Sequence, residues 1–258
     1  MNIIKVMGGL GNQLFQYSFG KAQKKNGISV KFMLTWYTVS HKRSAFPRPY
    51  RLDKFKVDVQ EGLYLKHPTI RENNLNLKLL KMDNYNFHGY WQYLAYHENN
   101  IPELTKEFTL QEKYYTPDFI KWKDLIKETP SVSVHVRKGD YVGNKGLHDL
   151  PLSYYMEALK LVEGDVYIFS DDMGWCKKNF NPVYFSRNIN FVHLQDYLDF
   201  ELIKQCNHNI ISGSTFSWWA SMLNQNPDKK VIAPVGWISG KNENDDLYYP
   251  KSWIKLQA

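Results

Sequence analysis

Residues 130–235 alternate short apolar runs with helical patterns, and this alternation limits the fold more than any other feature of the chain. Val132, Val134 and Val136 form the first run, a β-branched stretch typical of a buried strand. Four further strand-like runs follow, at Asp165–Ser170, Phe191–Leu194, Asn209–Ser212 and Val231–Ala233. Strands that alternate with helices in this way predict a mostly parallel, doubly wound α/β sheet.

Polar residues follow three of these strands at the point where each strand ends. They are His135, Arg137 and Asp140 around the end of the first strand, Asp171 and Asp172 after the second, and Ser214 and Thr215 after the fourth. Because parallel strands present their carboxyl ends along one edge of a sheet, these side chains are expected to face a common crevice. The sequence therefore predicts a ligand site at that edge.

The residue types at this edge suit a phosphate-bearing ligand. The planar fork of Arg137 can donate two parallel hydrogen bonds to phosphate oxygens. Ser214 and Thr215 open a helix, whose free N–H groups and positive dipole end favour an anion. Plainer interpretations are a solvated charged turn at Arg137, ordinary helix capping at Ser214, and a core histidine at His135. The adjacent aspartates are weak support for a metal site, and they can instead accept hydrogen bonds from guanine.

The amino-terminal residues repeat the order of strand, loop and helix. The apolar run Asn2–Val6 leads into the glycine-rich loop Met7–Gln13, and a helical pattern then continues to Asn26 and Gly27. Glycines in such a loop let the backbone approach a ligand closely, although a tight strand-to-helix turn is common in any α/β fold. The loop lacks the third glycine of G-x-G-x-x-G, so a dinucleotide-binding fingerprint is not supported.

The chain is expected to form two lobes. Residues 1–129 form the first lobe and residues 130–258 the second, with Glu128–Pro130 as the linker and the last residues able to pack back on the first lobe. The pattern between residues 30 and 85 is weak. Asn86–Gln92 has strand-like composition and ends in polar and aromatic groups suited to the rim of a cleft.

Charge and composition exclude several classes of protein. Residues 1–129 hold 20 Lys and Arg against 12 Asp and Glu, whereas residues 130–258 hold 13 against 14. The first half can therefore contact an anionic acceptor or membrane surface. No dense basic cluster or nucleic-acid motif occurs, so nucleic acid is not an expected partner. The aromatic content of 16% suits a sugar-binding cleft.

Cysteine usage and the start of the chain indicate a reducing compartment. Cys176 and Cys206 provide neither a disulfide framework nor metal-ligand spacing, and no signal peptide or membrane-spanning run is present. The expected location is cytoplasmic, at most peripheral on the inner face of the membrane.

Four segments carry a resemblance to glycosyltransferase family 11, the α-1,2-fucosyltransferases. They are the amino-terminal signature Gly8–Tyr17, the H-x-R-R-x-D-Y box at His135–Tyr141, the middle motif Ser170–Cys176 and the third motif Ser214–Trp219. The four occur in the family's order over nearly the whole chain. Two departures are visible, since Lys138 stands where a second Arg is usual and Gly213 where Asn usually precedes the third motif.

The resemblance implies a GT-B architecture, with two Rossmann-like lobes on either side of a cleft and the donor mainly on the second lobe. The implied reaction is inverting, moving L-fucose from GDP-β-L-fucose to a galactoside hydroxyl of a glycan and forming an α-1,2 linkage in surface polysaccharide (O-antigen or lipopolysaccharide) synthesis. GDP-fucose is then a substrate, the acceptor is a glycan with terminal galactose, and no metal or cofactor is expected.

Carried over by position, the resemblance gives each motif residue a role. Arg137 is expected to bind the pyrophosphate and stabilise departing GDP, and Asp171 or Asp172 to recognise guanine. The other residues implied in the GDP-fucose site are Asn12 of the glycine loop, His135, Ser214, Thr215 and Phe216. No base for the acceptor hydroxyl is identified, and Asp140 and His148 are the two candidates. Two alternatives stay open, namely another nucleotide-sugar transferase on the same fold and a non-catalytic carbohydrate-binding protein using the aromatics of residues 85–96.

Overall fold

A computed structural model describes residues 1–40, 48–143, 149–182, 187–237 and 244–258, with the backbone alone at residues 39 and 40. The chain divides into two compact units, Met1–Gln111 and Glu112–Ala258. The helix at residues 117–128, which precedes the linker expected from the sequence, belongs to the second unit, where it packs on the helix at residues 196–203. Each unit is an α/β structure built on one sheet.

The first unit holds four parallel strands in the order β2-β1-β4-β3. Its elements are β1 Asn2–Lys5, α1 Leu10–Lys25, β2 Val30–Met33, β3 Thr69–Arg71, β4 Asn86–His88 and α2 Ile101–Glu107. The expected apolar face of α1, formed by Phe15, Phe19 and Ala22, is buried as its 3.6-residue spacing predicts. Phe19 stacks on Trp91, which lies in the same core.

The second unit holds six parallel strands in the order β10-β9-β8-β5-β6-β7. Its elements are α3 Pro117–Glu128, β5 Ser131–Val136, α4 Leu152–Leu159, β6 Asp165–Ser170, α5 Met173–Asn179, β7 Ile189–Val192, α6 Asp196–Ile203, β8 His208–Ile210, α7 Thr215–Met222, β9 Val231–Pro234 and β10 Ile254–Leu256. Counted from β5, this order is the 3-2-1-4-5-6 arrangement of a Rossmann fold.

Strand β5 lies at the centre of the second sheet because all six of its side chains can be buried. Val132, Val134 and Val136 face the main apolar cluster, together with Tyr155 and Ala158 of α4. Its serines and His135 alternate with these valines, so they lie on the opposite face. The doubly wound α/β sheet expected for residues 130–235 is confirmed, and both units are parallel α/β structures.

Candidate active site

The order of the second sheet reverses between β5 and β8, since the chain moves from β5 towards β6 and β7 and later returns to place β8 on the other side. Open α/β sheets bind ligands at the carboxyl ends of strands flanking such a reversal. Arg137 follows β5 directly, and Ser212 to Ser214 lie between β8 and α7. The topology therefore brings two of the three predicted polar clusters to the switch point.

Arg137 is held by carboxylates from two segments. Its Nη1 lies 3.0 Å from Oδ2 of Asp171, and its Nη2 donates to Oδ1 of Asp140. The guanidinium carbon is 5.3 Å from the ring centroid of Tyr141, a cation–π distance. The Arg137 side chain is 16% exposed. Five N–H donors are available on a guanidinium, so donors are left over for a ligand after both carboxylates are bound.

Gly139 allows Asp171 to reach Arg137. A Cβ built at position 139 would overlap Oδ2 of Asp171, the oxygen that pairs with Arg137. The other oxygen, Oδ1, accepts the Lys138 backbone N–H at 2.9 Å. Asp171 thus ties the end of β6 to the turn after β5. In this arrangement both of its oxygens are engaged within the protein.

The Lys138 ammonium is buried against groups different from those that hold Arg137. Its Nζ donates to Oδ1 of Asp149 at 2.5 Å and to the Leu150 carbonyl at 2.8 Å, and it lies 4.1 Å from the ring centroid of Trp175. The Lys138 side chain is 7% exposed. Its ammonium is satisfied by these groups, so Lys138 fixes the segment entering α4. No local sequence pattern marks Asp149 as the partner of Lys138, because the contact depends on how the loop before α4 folds.

His135 links the ends of β5 and β8. Its Nδ1 lies 2.8 Å from the Ser212 hydroxyl, and its ring centroid lies 5.2 Å from that of Phe216 in α7. Burial, with a contribution from the Arg137 charge, lowers the pKa of His135 to about 3. The ring is therefore neutral near pH 7. The interpretation of His135 as a buried histidine that supports the strand end agrees with these contacts.

The first backbone N–H groups of α7 have no acceptor within the helix. Ser214 is the N-cap residue, yet its hydroxyl makes no capping hydrogen bond. The first intrahelical bond is from Trp218 N–H to the Ser214 carbonyl, so the N–H groups of the preceding turn have no helical acceptor. The Tyr141 hydroxyl donates to the Gly213 carbonyl at 3.2 Å, which fixes the loop just before the helix.

Asp172 is the N-cap of α5. Its Oδ1 accepts the Trp175 backbone N–H at 2.9 Å, and its own N–H donates to the Ser170 hydroxyl at 2.9 Å. Within the described ranges, no three His, Cys, Asp or Glu side chains stand close enough to hold one metal ion. His148 lies outside the described residues. Asp140 is described, and its place beside Arg137 marks it first as an orienting partner of that guanidinium.

The glycine loop of the first unit is held by two buried glutamines. Gln13 donates to the Gly8 and Pro49 carbonyls, and Gln16 donates to the Gly89 carbonyl while accepting the Met7 N–H. Much of the amino-terminal signature therefore maintains the loop itself.

Gly8 has φ of +83°, a left-handed conformation that favours glycine. Asn12 accepts from Gln92 Nε2 at 2.9 Å, so its amide nitrogen keeps its two donors. The predicted contact of Asn12 with a donor stays a prediction.

Each of the two units is built on an all-parallel sheet, and the second has an arginine and the start of a helix at its switch point, an architecture shared with glycosyltransferases of the GT-B fold class. The model of glycosyl transferase family 11 matches residues 52–257, and the chain belongs to that family. The resemblance noted from the four sequence motifs is thus confirmed.

Relatives agree with this assignment over different lengths. An Escherichia coli α-1,2-colitosyltransferase is 28% identical, covering 99% of this chain and 98% of the relative. The O-antigen biosynthesis glycosyltransferase WbnK of Escherichia coli is 27% identical, covering 96% and 98%. Rat galactoside α-(1,2)-fucosyltransferase 2 is 31% identical, covering 53% of this chain and 43% of the relative.

Solved structures support the fold alone. The NodZ α-1,6-fucosyltransferase soaked with GDP-fucose has a TM-score of 0.55 at 14% identity, covering 86% of this chain and 92% of that chain. A family 9 glycosyl transferase from Veillonella parvula has a TM-score of 0.50 at 8% identity, covering 99% and 86%. Among the described residues, no helix has the length and apolar character needed to cross a membrane.

Proposed function

We propose that this glycosyltransferase moves L-fucose from GDP-β-L-fucose to the 2-hydroxyl of a terminal galactose, with inversion to an α-linkage. The observation that carries the proposal is Arg137, placed at the switch point of the second sheet and oriented by Asp140 and Asp171. Family membership and the galactoside α-(1,2)-fucosyltransferase relatives support the sugar and the linkage. The colitosyltransferase and O-antigen relatives support a role in surface polysaccharide synthesis.

In the proposed reaction, the acceptor oxygen attacks the anomeric carbon of fucose while the bond from that carbon to the β-phosphate oxygen breaks. Negative charge then grows on the GDP phosphates. The remaining Arg137 donors and the free N–H groups of α7 would neutralise it, with Ser214, Thr215 and Phe216 beside the diphosphate. Donors fixed before the reaction are effective because they need no reorganisation in the transition state.

The fixed contacts of the aspartates refine the roles inferred from the motifs. Asp171 would serve chiefly to orient Arg137, because both its oxygens are bound within the second unit. Asp172 would offer guanine its second oxygen, since Oδ1 is used in capping α5. Asp140 is proposed as an orienting residue and as a candidate base, alongside His148.

A second candidate function is transfer of colitose, which is L-fucose without its 3-hydroxyl. It is favoured by the near-complete coverage of the colitosyltransferase relative. The two donors differ by one hydroxyl, so the kinetic preference between them depends on whether the site hydrogen-bonds that group.

The test is a matrix of GDP-fucose, GDP-colitose, GDP-mannose and UDP-galactose against β-galactosides, with NMR of the product. We expect turnover with GDP-fucose or GDP-colitose and a new α-1,2 linkage. Turnover confined to a UDP-sugar would identify a different transferase. Galactoside binding without GDP binding or turnover would identify a carbohydrate-binding protein instead.

A further inference from the structure

Three basic side chains form a row at the carboxyl edge of the first sheet. Strands β1, β4 and β3 are adjacent and parallel, and they end at Lys5, His88 and Arg71. Arg71 pairs directly with His88, and the pairing of Ile4 with Phe87 puts Lys5 level with His88. Residues level with each other on neighbouring strands project from the same face of a sheet. We call Lys5, His88 and Arg71 the basic row.

The members of the row are close enough to affect one another. Arg71 Nη1 lies 3.0 Å from His88 Nδ1. A guanidinium can only donate, so Nδ1 of His88 accepts and the imidazole is neutral. Burial, followed by the charges of Lys5 and Arg71, lowers the pKa of His88. Burial and the Arg71 charge likewise lower the pKa of Lys5. The row thus holds two cations, Lys5 and Arg71, which repel each other on either side of a neutral, partly desolvated His88.

The described residues provide the row with no carboxylate partner. Neither Lys5 nor Arg71 forms an ion pair with a carboxylate of the described residues, and residues 41–47, the undescribed part of the first unit, contain no Asp or Glu. Glu72, next to Arg71 in sequence, uses its Oε2 to accept the Tyr90 N–H at 2.6 Å. By contrast, Lys21 of the same unit is paired with two glutamates.

We propose that the basic row binds an anionic group on the acceptor, a phosphate or a carboxylate attached to the galactoside. The inference rests on the proposed glycosyl transfer and extends it by naming the acceptor's chemical class. A neutral sugar gives no reason to bring two cations together, whereas an oxyanion would remove their repulsion and accept hydrogen bonds from Lys5, Arg71 and the His88 Nε2–H. The carboxyl edge of a parallel sheet is also where such folds bind ligands.

Matched acceptors and variants test the proposal in the full-length chain. Three galactosides would differ only in the group at the end of a common alkyl aglycone, namely a methyl, a carboxylate or a phosphate. Lys5→Met and Arg71→Met keep an unbranched apolar stem but remove the charge. The control is Lys106→Met, which removes one exposed charge of the first unit at α2, far along the chain from the row. Circular dichroism and thermal unfolding would confirm that all variants are folded.

In each row variant, the KM of the anionic acceptor divided by the KM of the neutral galactoside is expected to rise by about tenfold. A tenfold change is the scale of one charged hydrogen bond. The donor KM and the control should stay within about twofold. An effect with both anions identifies a general oxyanion site, and an effect with phosphate alone identifies a phosphate site. Equal KM changes for neutral and anionic acceptors, or no change, would overturn the proposal.

A binding measurement separates failure of the row from failure of the proposed reaction. Isothermal titration of inorganic pyrophosphate, with GDP present in excess, should give binding to the wild-type chain that is lost in the Lys5→Met/Arg71→Met double variant. If that loss is seen in a chain inactive with every donor, the row stands and the proposed function fails. If fucosyl transfer is observed and pyrophosphate binds both chains equally, the row is overturned while the function stands.

Discussion

Arg137 shows how the site can be prepared before a ligand arrives. Two carboxylates on different segments bind its two terminal nitrogens, and the Tyr141 ring lies against the guanidinium. A flexible side chain is thereby restricted by three contacts within its own unit. The loss of side-chain freedom that a ligand would otherwise impose has already occurred in the folded chain.

The first prediction is that Lys cannot replace Arg137. A lysine keeps the charge but loses the fork, so it cannot hold both aspartates and a phosphate together. Arg137→Lys should lower kcat by roughly 10²-fold with a smaller change in donor KM, and Arg137→Ala should lower it further. Steady-state kinetics on folded variants measure this effect. A kcat close to wild type in Arg137→Lys would contradict the proposed role.

Lys138, the residue after Arg137, is the control position for this prediction. Lys138→Arg also conserves charge, but the partner of Lys138 is Asp149, which is not one of the two carboxylates paired with Arg137. It should change kcat by only a few-fold. Lys138→Ala should likewise affect kcat less than Arg137→Ala, while destabilising the chain by about 1–3 kcal/mol through the unpaired buried contacts it leaves.

The second prediction concerns Gly139. A methyl group there would displace Asp171 from Arg137, so Gly139→Ala should lower kcat about tenfold or more without abolishing folding. Gly174→Ala is the control, since its added Cβ would lie 3.4 Å from Asp172 Oδ1, an ordinary contact. Equal activity of the two variants would show that the Asp171–Arg137 contact does not matter.

At the scale of elements, α6 contains a buried carboxyl group, Asp199, that should make the stability of the fold depend on pH. Asp199 accepts the Leu194 N–H at 3.1 Å, and burial, together with the nearby Asp196 charge, raises its pKa to about 8. In the unfolded chain the same group ionises near pH 4. Between these values only the unfolded state has lost the proton, so stability falls as pH rises towards 8.

The third prediction follows for Asp199→Asn, which can still accept from Leu194 but cannot ionise. Its free energy of unfolding, relative to wild type, should increase by up to about 1.4 kcal/mol per pH unit between pH 5 and 8. Urea unfolding at several pH values measures it. Asp124→Asn, at an exposed position of α3, should give no such slope. A flat difference for Asp199→Asn would mean that the carboxyl is already ionised in the folded chain.

The elements that the sequence predicts best are buried strands with a continuous apolar or β-branched composition. β6 has the predicted bounds, and β5 contains the predicted valine run. β3 was missed because its central Ile70 is flanked by exposed residues, and β10 because it is a short edge strand. Such strands form because they pair with a sheet that already exists. Their partners are distant in sequence, so no local pattern predicts them.

Side-chain partners were predictable only in part. Arg137 was correctly placed at a strand end by the valine pattern, but its pairing with Asp171 spans two strands and depends on their register. Trp91 was expected near a cleft rim and is instead fully buried, with φ of +57°. That backbone turn cannot be foreseen for a tryptophan, since bulky residues rarely adopt it.

At the scale of the whole molecule, the fourth prediction assigns acceptor binding to the first unit. Tyr90, 42% exposed and just beyond β4, and Tyr93 are the aromatic positions to change, because Trp91 belongs to the core. Tyr90→Ala and Tyr93→Ala should raise the acceptor KM more than the donor KM. Ile120→Ala, an exposed position of α3, is the control. A larger rise in donor KM would reverse the assignment of the units.

The fifth prediction is that activity survives chelation. Asp171 is already bound to Arg137, and Asp172 caps α5, so a cation would have to displace existing contacts. Rates with and without excess EDTA, after exhaustive dialysis, measure this directly. Loss of activity that is restored by manganese or magnesium would assign the aspartate pair to a metal.

The pairing of β5 with β8 determines when the active site can form during folding. His135 and Ser212, whose contact joins the two strand ends, are 77 residues apart in sequence. Closing so long a segment is entropically costly, and parallel pairs with intervening crossovers are slow to form. On the ribosome, Arg137 emerges well before the strand and helix that complete its surroundings. During refolding, enzyme activity should therefore return later than helical content, because activity requires β5 and β8 to pair.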